Sequence, residues 1–357
     1  MPFISVKKVV SGVKLAEDVY TPLGGLLFTK GTRLTARDLE FLEAFQIAEV
    51  NIEDEEKVQA ETAAGAEAYE GEGGLSQTYK EFQQYYDKAV NAFRILMNRV
   101  QAGNDVPVLA MRELVSPLLA FVREQPNILH ALRRVSHVDT YAYEHSVAVG
   151  LLSITIAKWM KLPETEWMQI GLAGTLLDIG KLKIDKRILL KPGKLSPTEY
   201  EEIKQHTVYG YQMLKGTPGL TEGVALAALQ HHEREDGSGY PFGLTGNKLH
   251  LYSKIAAVAD VYHAMCSDRV YQKALSPYQV AEQLIQDSFG KLDPSIVLTF
   301  VNGITQFSAG TVVELSDGSF AKIVFTDRNQ PTRPMVEVGG QIINLAEARH
   351  LSIIRVI

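Results

Sequence analysis

The chain sets His231 and His232 side by side at the end of GVALAALQHH and follows them at once with EREDGSGYPFGL. Adjacent imidazoles point in different directions on almost any backbone. The pair therefore reads either as an ordinary loop or as part of a metal centre with a substrate-holding loop attached. Where the other candidate ligands lie bears on that choice. His145 opens the apolar pattern HSVAVGLLSITIAKWM, and Asp178 ends WMQIGLAGTLLDIG. His206 lies in EEIKQHTVYGYQML, in register with Tyr209, Met213 and Leu214, and Asp260 sits inside KIAAVADVYHAM. Each has a plain explanation taken singly. A histidine on an apolar helix is more often hydrogen-bonded core, Asp178 can cap the next turn, and Asp260 can pair with Arg269. Yet a buried carboxylate is costly unless it is paired or bound to a metal. Four histidines and two aspartates on five successive helical stretches can converge in a bundle core, as metal sites do. Imidazole with carboxylate suits Fe, Mn, Zn or Ni, and the lack of cysteine ligands argues against a structural zinc knot.

The elements that must position these groups are helices. Residues 75 to 305 are almost wholly helical in pattern, and Tyr79, Phe82, Tyr86, Ala89, Phe93, Leu96 and Val100 recur at spacings of three and four. That stripe is either core or, over three heptads, a seam for a homodimer through the 75–100 helix. Ahead of it, VYTPLGGLLFTKGTRLT has turn residues punctuating short strands, and Thr35 is placed to cap the helix ARDLEFLEAF. EDEEKVQAETAAGAEAYEGEGG is acidic, rich in Ala and Gly, and without apolar periodicity, which predicts a linker. The tail returns to strands, with GTVVELSDGSFAKIVF turning as a hairpin at Ser316-Asp317-Gly318. The expected organisation is a β-rich segment over 1–54, the linker over 55–74, a helical connector over 75–126, the metal-bearing helical domain over 127–305 and a β-rich segment over 306–357. The two β-rich segments are expected to pack on each other.

A chain of 357 residues exceeds what one core usually supports, which fits several domains. Its net charge of −6 gives no global basic field for long nucleic acids or anionic membranes, while leaving a local site for a small anion. The single cysteine, Cys266, cannot form an intramolecular disulfide and fits a reducing compartment. The start, MPFISVKKVVSG, has no secretion-type apolar core. The apolar run His145 to Ala157 is well short of the ~20 residues a membrane span needs. The expectation is a cytoplasmic protein with no membrane span.

HHEREDGSGYPFGL resembles the signature HHExxDGxGYP of the HD-GYP family, a bacterial branch of the HD phosphohydrolase superfamily. The resemblance runs from about His145 to Ala274, through LLDIGKLKI, LLKPGKLSPTEYEEIKQHTVYGYQML and AVADVYHAMCSDRVYQKALS. It implies a mainly α fold, an HD-type helical bundle flanked by the small β-rich segments. It also implies two divalent metal ions (Fe, Mn or Zn) held by His145, Asp178, His206, His231, His232 and Asp260, with Asp178 as the bridge. The activity it implies is hydrolysis of a 3′-5′ phosphodiester of cyclic di-GMP, or a related cyclic dinucleotide, by a metal-bound hydroxide. Lys181 then stands where the family places a cation on the phosphate, and Arg269 is a second phosphate contact. The following turn forms the rim of the pocket: Gly237 and Gly239 let the backbone turn tightly, Pro241 stiffens it, and Tyr240 presents its phenol.

The chain also departs from the family pattern. Where members read HDxGK it reads LDIGK, so Leu177, which cannot donate to a metal, stands in the histidine position and weakens the first metal site. Tyr141 stands where some members carry a glutamate for a third metal. His263 replaces a common aspartate one turn from Asp260, where it can act as a substitute ligand, and Gln272 stands where a basic residue is common. Three functions remain open: an active phosphodiesterase with a remodelled first metal, a cyclic-dinucleotide receptor or scaffold that has lost turnover, and a dimeric interaction module.

Overall fold

The computed structural model of the chain describes residues 3–6, 9, 12–20, 26–34, 38, 39, 42, 47, 49–52, 77–124, 140–191, 193–267, 275–305, 310–327 and 330–356. The linker read over 55–74 lies outside them. Among the described residues from 77 onward the α-helices are, in chain order, α1 (Gln77–Gln101), α2 (Val108–Glu124), α3 (Tyr141–Trp159), α4 (Glu164–Leu176), α5 (Lys186–Leu189), α6 (Pro197–Leu214), α7 (Glu222–Gln230), α8 (Leu251–Cys266), α9 (Pro277–Asp287) and α10 (Pro294–Ile304).

Local chemistry sets where several of them begin. Ser196 accepts from the Glu199 amide while the Glu199 carboxylate accepts from the Ser196 amide, and Pro197 follows in the first turn. This reciprocal cap starts α6, the helix that carries His206. Ser276, Gln279 and Pro277 repeat the device at α9, and Asp293 caps α10. α3 is apolar on every side and buries each residue from His145 to Ala157, which makes it the axis of the bundle. α1, α2, α4, α8 and α10 pack against it.

The α1 stripe is part of this core. Phe82 lies 4.2 Å (ring centroids) from Phe121 of α2, and the Tyr86 hydroxyl donates to the Glu144 carbonyl of α3 at 2.9 Å. Phe82, Tyr86, Ala89, Phe93, Leu96 and Val100 are all buried by the chain itself. A homodimer through this helix would have to use its outer face, where Tyr85 and Ile95 are exposed.

The tail forms a five-stranded antiparallel sheet in the order β8-β7-β6-β5-β9: β5 (Val312–Leu315), β6 (Phe320–Phe325), β7 (Met335–Val338), β8 (Gln341–Asn344) and β9 (Ile353–Val356). The expected hairpin joins β5 to β6, with Gly318 at φ +82° and Asp317 accepting from the Ser319 amide. The sheet core of Val313, Leu315, Ile323, Val336, Leu351 and Ile353 includes Tyr278 of α9. Arg333 pairs with Glu282 of α9 at 2.6 Å. The helices and this sheet make one compact unit, 77–357, and the head makes another, 1–76. In the head, β1 (Phe3–Ser5) pairs with β4 (Glu49–Asn51), and β2 (Val19–Tyr20) pairs with β3 (Leu26–Phe28). Asp38, Leu39 and Leu42 are helical, as the ARDLEFLEAF pattern implies; Thr35 lies outside the described residues. Every described strand pairs within its own segment. No described helix is long and apolar enough to cross a membrane.

Candidate metal centre

α4 ends at Leu176, Leu177 closes it, and Asp178 starts the 3-10 turn Ile179–Lys183. This turn lies against α6 so closely that a Cβ on Gly180 would stand 1.9 Å from the His206 carbonyl oxygen. α7 ends at Gln230 with His231 as its cap, so His231 stays in helical geometry while His232 begins the turn. Asp178, His206, His231 and His232 thereby each bring a donor atom to within 4.8 Å of the others.

The hydrogen bonds fix the state of these donors. His206 Nδ1 donates to the Ile203 carbonyl at 2.6 Å, and His231 Nδ1 donates to the carbonyls of Ala227 and Ala228, both at 3.0 Å. Both Nε2 atoms are left as lone pairs, and they face one another at 3.3 Å. Asp178 Oδ1 points at the same spot, 3.4 Å from His206 Nε2 and 3.7 Å from His231 Nε2, and it accepts no hydrogen bond. Three buried lone pairs converging without a proton are repulsive, and a cation removes the repulsion. The donor set therefore fits a divalent metal, and the carbonyls behind the rings are the outer contacts that orient metal-binding imidazoles.

Charge states agree. Burial lowers His206 to about 4 against the pull of Asp178, and burial lowers His232 as well. Both rings are thus neutral and able to donate at neutral pH. Burial acts to raise Asp178, but the Lys181 ammonium beside it holds the carboxyl well below the usual carboxylate range. Asp260 is likewise lowered, its burial being outweighed by the bond and charge of His145. Lys181 Nζ donates to Asp178 Oδ2 at 2.6 Å, and Asp178 raises it against burial, so the ammonium persists.

The other two expected ligands form a separate pair. His145 Nε2 lies 2.9 Å from Asp260 Oδ1, and His145 Nδ1 lies 2.9 Å from His263 Nδ1. Asp260 stays close enough to feel the charge of Asp178. His263 reaches the ring of His145 rather than the four-donor cluster, because one helical turn beyond Asp260 it faces α3, and Ser267 Oγ is 3.3 Å from its Nδ1. Tyr141 lies against the His145 ring at 5.7 Å. Leu177 is 1% exposed and belongs to the bundle core.

The loop after His232 is held by a residue that the sequence did not single out. Glu233, 2% exposed, accepts from the Phe242 amide at 2.8 Å through one carboxylate oxygen and from the Leu244 amide at 2.9 Å through the other. Its place between the histidines and the loop was the available signal. Gly237 is at φ +81°, and a Cβ on Gly239 would meet the Glu233 Cα at 2.4 Å, so both positions require glycine. Tyr240, which precedes Pro241, stacks on His232 with centroids 4.6 Å apart. Burial raises its phenol, which therefore keeps its proton. Arg269 and Gln272 lie outside the described residues.

Residues 124–296 match the family model described as HD domain. A cyclic di-GMP phosphodiesterase of Pseudomonas aeruginosa is 35% identical over 236 residues, 66% of this chain and 57% of that protein. One from Thermotoga maritima is 41% identical over 184 residues, 51% of this chain and 49% of that protein. A 3′3′-cGAMP-specific phosphodiesterase of Vibrio cholerae is 35% identical over 178 residues, 49% of this chain and 40% of that protein. The chain thus spans about half the length of the curated relatives it matches. A solved HDG"Y"P protein of Bdellovibrio bacteriovorus shares the fold, with TM-score 0.53 at 17% identity over 84% of this chain and 98% of that one. Residues 124–296 are an HD domain. Within it, the loop HHEREDGSGYP carries the resemblance to the HD-GYP signature.

Proposed function

We propose that this protein is a metal-dependent phosphodiesterase of cyclic dinucleotides, with cyclic di-GMP as the preferred substrate class. The observation that carries this reading is the convergence of Asp178 Oδ1, His206 Nε2 and His231 Nε2 as unprotonated donors beside Lys181 and Tyr240. The names of the relatives support the substrate. In this reading Asp178, His206, His231 and His232 hold one divalent ion, Fe, Mn or Zn. Asp178 with His145 and Asp260 offers a second position that Leu177 weakens. When bound, such ions supply Lewis-acid charge to the phosphodiester and activate water. The rest is done by the chain. Lys181, its side chain 42% exposed and anchored on Asp178, presents an ammonium to a phosphate oxygen. Tyr240, kept protonated, donates a hydrogen bond, and Glu233 with Gly237, Gly239 and Pro241 holds the loop that carries it. Arg269 adds a second phosphate contact.

The test is turnover of cyclic di-GMP by metal-loaded protein, followed by chromatography of the linear product or GMP, beside Asp178→Asn. The expected result is turnover that needs metal and vanishes in the variant. Metal binding without turnover would instead support the receptor reading. That reading is favoured by one observation: both ring nitrogens of His145 are engaged, by Asp260 and His263, beside a buried leucine at position 177.

A further inference from the structure

A cyclic dinucleotide has two bases and two phosphates, and the centre described above accounts for only one phosphate. A second feature adjoins it on α6. Lys204 Nζ lies 5.6 Å from the Tyr240 ring centroid and 4.9 Å from that of Tyr200, so its ammonium sits between two tyrosine rings. The order from the centre outward is His232, Tyr240, Lys204, Tyr200. Lys204 is held from the far side by Glu201 Oε1 at 2.7 Å, a partner whose own side chain is 67% exposed. Tyr200 is 48% exposed, a large aromatic surface left to solvent at the rim. Beside it opens a hollow of about 500 Å³ lined by Pro197, Thr198, Tyr200, Glu201, Glu202 and Gln205.

This combination is selective in its chemistry. An exposed aromatic face takes a base by stacking, and side chains beside it read the Watson–Crick edge. The groups available here for that edge include two carboxylates, which only accept hydrogen bonds. Guanine offers two adjacent donors, N1–H and N2–H₂, that match a carboxylate. Adenine offers an acceptor at N1 next to its single donor and is repelled. An acidic hollow is a poor place for a phosphate, but the Lys204 ammonium over the Tyr200 ring offsets that locally. Glu201 is already tied to Lys204, which leaves Glu202 as the reader.

Resting on the cyclic-dinucleotide reading above, we infer that the hollow beside Tyr200 is a guanine subsite of the same centre. Tyr200 stacks the base, Glu202 accepts from its N1–H and N2–H₂, and Lys204 meets the phosphate that is not cleaved. These residues act in binding and specificity, not in the reacting step.

The experiment is calorimetric titration of full-length, metal-loaded protein with cyclic di-GMP and with cyclic di-AMP, alongside elemental analysis of metal content. The wild type should prefer the guanine ligand. Tyr200→Ala should weaken both ligands about tenfold, within the range of one base–aromatic stack, and Tyr200→Phe should restore them. Glu202→Gln should weaken cyclic di-GMP about tenfold and, by relieving the repulsion of adenine N1, strengthen cyclic di-AMP, collapsing the preference. Lys204→Met should weaken both and flatten the dependence of affinity on salt, while Lys204→Arg retains it. If the wild type binds cyclic di-GMP and all three loss variants stay within twofold of it, the subsite is wrong although the function stands. A fall in metal content in step with affinity overturns it too, since the residues would then be supporting the centre. A wild type that holds metal but binds neither nucleotide ends the functional reading and this inference with it.

Discussion

Replacing Leu177 with histidine tests whether the first metal position is weakened by that one side chain. Leu177 is 1% exposed, within the bundle core and next to Asp178. Losing a fully buried leucine costs roughly 1.5–3 kcal/mol. A buried imidazole whose N–H and lone pair lack partners costs roughly 1–3 kcal/mol more. Without metal, Leu177→His should therefore be about 4 kcal/mol less stable than the wild type. An added ion binding the new nitrogen together with Asp178, His145 and Asp260 stabilises the folded state by ~2.7 kcal/mol at a hundred times its Kd. The gap in unfolding free energy between metal-loaded and metal-free protein should widen by about that amount in the variant. Metal per chain should rise toward two. Urea unfolding with and without manganese, with elemental analysis of the same samples, measures both. If the gap and the metal content match those of the wild type, the site is built around the leucine and Leu177 is no lesion.

Other expectations follow from the same geometry. Asp178→Asn should cut metal affinity at least tenfold by isothermal titration, because it removes the only carboxylate among the four converging donors. Glu233→Gln keeps one acceptor but turns an amide NH₂ toward a backbone N–H, so it should cost about 1–3 kcal/mol and raise amide exchange at Phe242 and Leu244. His206 titrates near 4 when folded against 6.5 unfolded, so the unfolded chain takes up the proton first as pH drops. Metal-free protein should keep this contribution above pH 6.5 and lose up to about 3 kcal/mol as pH falls toward 4. Thermal melts across that window check it, and His206→Leu should flatten the loss.

The four-donor cluster was legible because helical periodicity placed His206 on an apolar face and because His231 and His232 sit at a helix end. The resemblance also assigns His145 and Asp260, with Asp178, to a different ion from that of His206, His231 and His232; that His145 and Asp260 bond to each other was not legible. That bond depends on how α3 and α8 pack, and sequence spacing is silent on which ring a neighbouring helix presents. For the same reason the sequence could name His263, one turn from Asp260, as a candidate substitute ligand but not its neighbour, the ring of His145. The clamp made by Glu233 was hidden because its partners are backbone amides nine and eleven residues onward, which no side-chain pattern marks. The β5–β6 hairpin was readable from a local turn. That Tyr278 belongs to the sheet core was not, since its neighbours there come from beyond residue 312.

That last placement makes α9 a helix with two allegiances. Val280, Ala281 and Leu284 lie in the bundle core, while Tyr278 lies in the core of the tail sheet and Glu282 holds Arg333. Two cores that share a helix melt and breathe as one cooperative unit rather than as beads on a string. α9 also packs directly on α8, the helix that carries Asp260. Strain entering at a strand of the tail therefore has one helix to cross before it meets a candidate metal ligand.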